Sequence, residues 1–261
     1  MNDNASVLMT IEKNIARIVL NNPQNGNVVN NENLSLMLEF LETANNDHRC
    51  KVIVIEGKDK VFCKGMDFKN LLGNLEENKK IDIEFSSPYK NVIKSIRNSN
   101  KPVIAKVDGE VVAGGMGILL ACDIIIASKT STFCLSEVLF GIIPAYIFPL
   151  LLERISYKRS RFLILSSITL DGEDALRYGI VDEIGESEDL NKIEKKYTKR
   201  LSFASSSALS FLKKYSEILT DNKMDQYLDY AQRQLTELLN DNQNIDRIKK
   251  FMNGGRLDRN E

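Results

Sequence analysis

Three segments of this chain place chemically useful groups at turns. Gly65-Met66-Asp67 lies between a β-rich run and a helical one. A helix N-terminus leaves backbone N–H groups unpaired, and such donors bind an anion or a developing oxyanion. The glycine lets the chain turn closely past a ligand, although any tight strand-to-helix turn would read the same way. Ala113-Gly114-Gly115-Met116-Gly117 is the second segment. Glycine inside a helix costs ~1 kcal/mol relative to alanine, so something must offset three of them. Either two backbones pack closely there, or a ligand approaches a main-chain N–H. Neither the GxxxxGK[ST] nor the GxGxxG spacing is present. The third segment is Ser136-Glu137-Val138, set between Phe133-Cys134-Leu135 and the apolar run Val138 to Ile143. A carboxyl in that setting is partly desolvated, which raises its pKa and suits it to proton transfer. Ser136 and Glu137 could equally open a short helix as capping groups.

The remaining chemistry is narrowed by what the chain lacks. His48 is the single histidine and sits in a polar link beside Asp47 and Arg49, so it reads as a solvated side chain. No Ser-His-Asp or Cys-His system can be built around it. Catalysis must rest on carboxylates, backbone donors, tyrosine, lysine or thiols. Cys50, Cys63, Cys122 and Cys134 form no CxxC pair; they read as reduced, mostly buried thiols of a cytoplasmic protein, and no metal site is expected. Lys plus Arg total 35 against 36 Asp plus Glu, for a net charge of −1, so no polyanion affinity is implied, and no nucleic-acid motif is present. Met1 to Ser6 is polar, without an apolar signal core, and no apolar run approaches the ~20 residues that span a bilayer.

The elements that must carry these turns follow from periodicity. Val7-Ile11 and Ile15-Leu20 read as a hairpin, and Glu32 to Asn46 as a helix with Leu34, Met37, Leu38 and Leu41 on one face. Lys51 to Glu56 reads as a buried strand whose unbroken apolar run, Val52 to Ile55, suits a sheet covered on both faces, and Val103 to Val107 reads as another buried strand. Tyr89 to Asn98 reads as a helix, and Ile124 to Ala127 as a strand. Strands alternating with helices indicate right-handed βαβ crossovers. Beyond about Phe148 the readings are helical (Leu150-Ile155, Arg159-Leu165, Gly172-Tyr178), then a short extended Val181-Ile184. Asp189-Phe203, Ala208-Thr220 and Lys223-Asn240 form a helical tail. The length of 261 residues fits one α/β core over residues 1–200 with a C-terminal helical region over 201–261.

In order and spacing these segments resemble the crotonase (enoyl-CoA hydratase/isomerase) superfamily from about Ile15 to Ile184. The pattern includes Phe62-Cys63-Lys64-Gly65-Met66-Asp67-Phe68, Lys101 to Gly109, Ala113-Gly114-Gly115, Ala121 to Ala127, Phe133 to Pro144 and Asp174 to Asp182. The resemblance implies a crotonase-like ββα spiral core followed by helices, assembled as a homotrimer or hexamer. It also implies an oxyanion hole made by the Met66 and Gly114 amides around a thioester oxygen. The hydratases of this family use two glutamates. Glu137 matches one of them, while Gly117 stands at the position of the other. Ala145 stands where the dehalogenase branch has an aspartate.

The stretch Phe133 to Ala145, with Phe62 to Phe68, is similar to the dehydratase of polyketide β-branching cassettes. That resemblance implies loss of water from a 3-hydroxy-3-methylglutaryl group on an acyl carrier protein, giving 3-methylglutaconyl. Glu137 would be the general base and the same carboxyl would return its proton to the departing hydroxyl. Lys64, Asp67 and Tyr146 would line the substrate site, Asp67 chiefly as a helix cap. Lys64, Lys69 and Arg154 are the cations open to the substrate's distal carboxylate. No cofactor is implied beyond the phosphopantetheine carried by the substrate. Alternatives are an enoyl-CoA hydratase or isomerase acting on a CoA thioester, the sister methylglutaconyl decarboxylase, and a non-catalytic thioester-binding protein.

Overall fold

In the computed structural model the described residues are 5–76, 80–219 and 223–253. Strands β1 (Val7–Glu12) and β2 (Ile15–Leu20) form an antiparallel hairpin. Lys13 and Asn14 at its tip both have positive φ, the turn geometry that matches strand twist. Helix α1 (Asn31–Asn46) starts one residue before the reading from periodicity. Asn30 and Asn33 cap it reciprocally, so two asparagines perform the work of a capping box.

Strands β3 (Val52–Gly57), β5 (Val103–Val107), β7 (Ile124–Ser128) and β9 (Glu183–Gly185) continue the sheet in parallel, in the order β1-β2-β3-β5-β7-β9. The unbroken apolar run Val52 to Ile55 has the expected cause. Ile53 and Ile55 face the main core, while Val52, Val54, Ile104 and Ile126 pack under Leu190 and Ile193 of α8 (Leu190–Phe203) on the opposite face.

A second, smaller sheet escaped the sequence reading. Strands β4 (Val61–Cys63), β6 (Glu110–Val112) and β8 (Thr132–Cys134) each follow a strand of the large sheet after a short turn, and they pair in parallel. Each is only three residues long, too short for an alternation signal. Helix α2 (Phe68–Glu76), helix α3 (Ser87–Arg97), helix α4 (Gly114–Leu120) and a 3-10 turn at Glu137–Phe140 follow these strands. The result is a repeating strand-strand-helix spiral, the expected crotonase-like α/β core. Helices α5 (Ile147–Arg154), α6 (Tyr157–Ser166), α7 (Gly172–Tyr178), α9 (Ser206–Leu219) and α10 (Met224–Leu239) match the helical readings. Helix α11 (Asn242–Met252) was not foreseen.

Four charges pin α8 to the sheet. Arg17 binds Glu194 in a fork, with N–O distances of 2.6 and 3.1 Å, and also Glu56 at 3.1 Å. Lys106 binds both glutamates. Burial pushes the Glu194 pKa up, but the hydrogen bond from Arg17 and the charge of Lys106 more than offset this and leave it below the ordinary carboxylate value. A depressed carboxylate stabilises the fold above its unfolded pKa, and that contribution is lost as pH falls through the folded value. Glu194→Ala should therefore destabilise by about 3–5 kcal/mol near neutrality. In urea unfolding the difference from wild type should shrink as pH falls below about 4.

Among the described residues no helix is long and apolar enough to cross a membrane. His48 is exposed, and Cys50, Cys63 and Cys122 are buried as unpaired thiols, with Cys134 half-buried.

Candidate active site

The small sheet is what assembles the site. Its three parallel strands lie side by side in the order β4-β6-β8. Within three residues of their C-terminal ends come Met66, Gly114 and Glu137 respectively. Groups that are far apart in sequence thus emerge together at one edge, the usual place for a ligand in parallel sheets.

The two turns touch. Val29 N–H donates to Gly65 O at 2.6 Å and Asp67 N–H donates to Val29 O at 3.1 Å. Successive amides of an extended chain point to opposite sides, so the Met66 N–H points away from Val29. On that side lies Gly114, where an added Cβ would sit 3.4 Å from Gly65 Cα and 3.8 Å from Met66 N. Gly65 has φ +86°, and a Cβ there would meet Gly114 N at 3.0 Å. Ala113, immediately before Gly114, is held at φ 47° and ψ −120°, an unfavourable conformation for a residue with a side chain. Among the described residues neither the Met66 nor the Gly114 amide has a hydrogen-bond partner. Unpaired donors on two turns that pack against each other can share one acceptor oxygen.

The glycine run now has a physical account. A Cβ on Gly115 would fall 2.2 Å from the carbonyl oxygen of Cys63 in β4, and one on Gly117 would fall 2.0 Å from the Tyr89 hydroxyl. Of the two sequence alternatives, close packing explains Gly115 and Gly117, and the approach of the two turns explains Gly114.

Glu137 opens the 3-10 turn, and Ser136 makes no capping hydrogen bond. The Glu137 side chain is only 6% exposed, and Oε2 is buried without a partner among the described residues. Leu135, Phe140, Ile142 and Ile147 are buried in the same core. Burial pushes its pKa up to about 7, partly opposed by its own backbone N–H. A carboxyl poised near neutral pH is suited to both taking and returning a proton. The thiols are not competitors: burial pushes Cys63 up to about 12 and raises Cys134, so neither is a thiolate at neutral pH.

A cavity of about 970 Å³ joins these groups. Lys64, Asp67, Lys69 and Tyr146 all line it. Lys64 is ion-paired with Glu110 at the rim, and Tyr146 is buried with its hydroxyl 2.7 Å from that of Ser86. Arg154 is not among the lining residues. It binds Asp182 at 3.1 Å and the carbonyls of Cys122 and Ile180, so the distal-carboxylate role open to it from sequence is withdrawn. Sequence reasoning missed the roof. Leu235 of α10 with Phe251 and Met252 of α11 close the cavity, and Phe251 meets Phe140 edge-on at 4.8 Å. The sequence reading gave α10 as a helix but not α11, and it did not say where either docks. Tyr89 was also missed. It lines the cavity from α3, and its hydroxyl donates to Gly114 O at 2.6 Å.

Residues 10–254 match the family model described as enoyl-CoA hydratase/isomerase. The chain is 25% identical over 252 residues to the bacillaene synthase dehydratase PksH of Bacillus subtilis (strain 168), covering 97% of this chain and 95% of that protein. It is 30% identical over 183 residues to the hydroxycinnamoyl-CoA hydratase-lyase of Pseudomonas fluorescens, covering 68% and 66% respectively. The crystal structure of a polyketide-biosynthesis protein, pksH of Bacillus subtilis, superposes with a TM-score of 0.90 at 24% identity, over 96% of this chain and 98% of that one. An enoyl-CoA hydratase of Bacillus halodurans gives 0.88 at 25% identity, over 94% and 99%.

Proposed function

Because this chain belongs to the enoyl-CoA hydratase/isomerase family, we propose that it removes water from a 3-hydroxy-3-methylglutaryl thioester on an acyl carrier protein, giving the 3-methylglutaconyl thioester. The observation that carries this reading is a buried carboxyl, Glu137, that lines the cavity with Met66 and Gly114 and whose Oε2 has no partner among the described residues, while the family resemblance puts Gly117 at the position of the second acid. Similarity to a polyketide dehydratase over nearly the whole chain supports the same choice.

The thioester oxygen sits between the Met66 and Gly114 amides, which stabilise the charge that develops as the α-proton leaves. Glu137 accepts that proton and returns it to the β-oxygen as the Cβ–O bond breaks. A tertiary β-carbon supports partial positive charge and eases that departure, so one carboxyl acting twice suffices. The distal carboxylate is met by Lys69, since Lys64 is already committed to Glu110. The pantetheine arm belongs to the substrate, and no other cofactor takes part.

The test is incubation of the protein with the 3-hydroxy-3-methylglutaryl thioester on carrier protein and on CoA, followed by intact-protein mass spectrometry and chromatography. Water loss should be faster on the carrier. Absence of water loss from both thioesters would refute the reading. Movement of a double bond in an enoyl thioester, without water loss, would assign the site to isomerisation instead.

A further inference from the structure

The position vacated by the missing second carboxyl is not empty space. Gly117 lacks the side chain, and the Tyr89 hydroxyl lies only 2.0 Å from where its Cβ would be. Tyr89 belongs to α3, an element distant in sequence, and it lines the same cavity as Met66, Gly114 and Glu137. Its hydroxyl hydrogen is committed to the Gly114 carbonyl at 2.6 Å. A phenol that has donated its hydrogen still has lone pairs to offer. The Tyr146 ring holds it edge-on, with centroids 5.5 Å apart.

We propose that Tyr89 is a catalytic residue that handles the water: its oxygen accepts the hydrogen of the substrate's β-hydroxyl, in the space a second carboxylate would take. This rests on the dehydration reading above. Bound in that way, the β-oxygen keeps its own lone pairs free for the proton held by Glu137. The step balances without a further reagent. The α-proton moves to Glu137, and the Cα–H electron pair forms the enolate and then the Cα=Cβ bond. The β-oxygen departs with the Cβ–O pair and takes the proton from Glu137, which returns to carboxylate. Tyr89 keeps its own hydrogen throughout. Burial, with Cys63, Glu137 and Tyr146 adding to it, pushes the phenol well above its ordinary range, consistent with a group that orients water and does not ionise. The glycine and the tyrosine are therefore one device: the smallest residue on α4 makes room for a hydroxyl from α3.

The test compares two rates in the same preparations. Dehydration of the 3-hydroxy-3-methylglutaryl carrier protein needs the water-handling group. Exchange of the α-proton for deuterium in the 3-methylglutaryl carrier protein, which has no β-hydroxyl, needs only Glu137 and the two amides. Tyr89→Phe keeps the ring and should lower the ratio of dehydration to exchange by about tenfold, in kcat more than in KM. Gly117→Ala, which forces the phenol away without altering it, should move the ratio in the same direction. A ratio unchanged in Tyr89→Phe, whether both rates fall together or neither does, overturns the proposal, because a merely structural prop of Gly114 would affect both. A wild-type protein that exchanges the α-proton yet neither loses nor adds water sinks the dehydration reading and this inference with it.

Discussion

Glu137→Gln should reduce water loss from the carrier-bound substrate by ~10²- to 10⁴-fold, the range associated with a positioned general base. Glutamine keeps the shape and one carbonyl oxygen but cannot accept the α-proton. The pH profile of the wild type should carry the same signature. Glu137 acts as base only when ionised, and burial places its pKa at about 7. kcat/KM should therefore rise with pH on the acid side and level off above about 7. A profile already flat from about pH 5 would mean that Glu137 is not the titrating base.

The same variant should be more stable than wild type. A buried carboxyl whose pKa is raised from 4.5 to about 7 binds more protons folded than unfolded between those values. Stability then falls as pH rises through that window. At ~1.4 kcal/mol per pH unit the penalty reaches roughly 3 kcal/mol above pH 7. Urea unfolding should show Glu137→Gln gaining on wild type from about pH 5 upward, with the difference constant above about pH 7. Lower activity with higher stability in one substitution is the mark of a carboxyl held in an apolar site for its chemistry.

Gly115→Ala should be comparably damaging through geometry alone. The new Cβ would lie 2.2 Å from the Cys63 carbonyl oxygen and 2.9 Å from Cys63 Cβ. The obstacle is the backbone of β4, which leads directly into Gly65 and Met66, so it cannot yield without moving one of the two amides. Overpacking of this kind costs about 1–3 kcal/mol of stability. Loss of one oxyanion donor lowers kcat by ~10²- to 10³-fold. The control is Gly73→Ala in α2, where nothing lies within 4 Å of the added Cβ. That change should raise stability by up to ~1 kcal/mol and leave kcat alone. Equal kcat values for wild type and Gly115→Ala would show that contact between the two turns does not set the oxyanion geometry.

Most of what local chemistry controls was legible in the residues. Unbroken runs such as Val52 to Ile55 announce a strand covered on both faces, because no polar position is left for water. Gly65, the glycine run at Gly114 and the carboxyl of Glu137 stood out because each is costly where it occurs and must be offset by something. Tertiary structure decided the rest. The strands of the small sheet are too short to carry a periodicity, yet their parallel order brings Met66, Gly114 and Glu137 to one edge. Nothing near Gly117 in sequence says that a tyrosine from α3 will fill its missing side chain. Nor do the apolar faces of α10 and α11 reveal that they roof the cavity. A residue's own intrinsic preferences are written at its position, whereas the partner it meets depends on how the whole chain closes on itself.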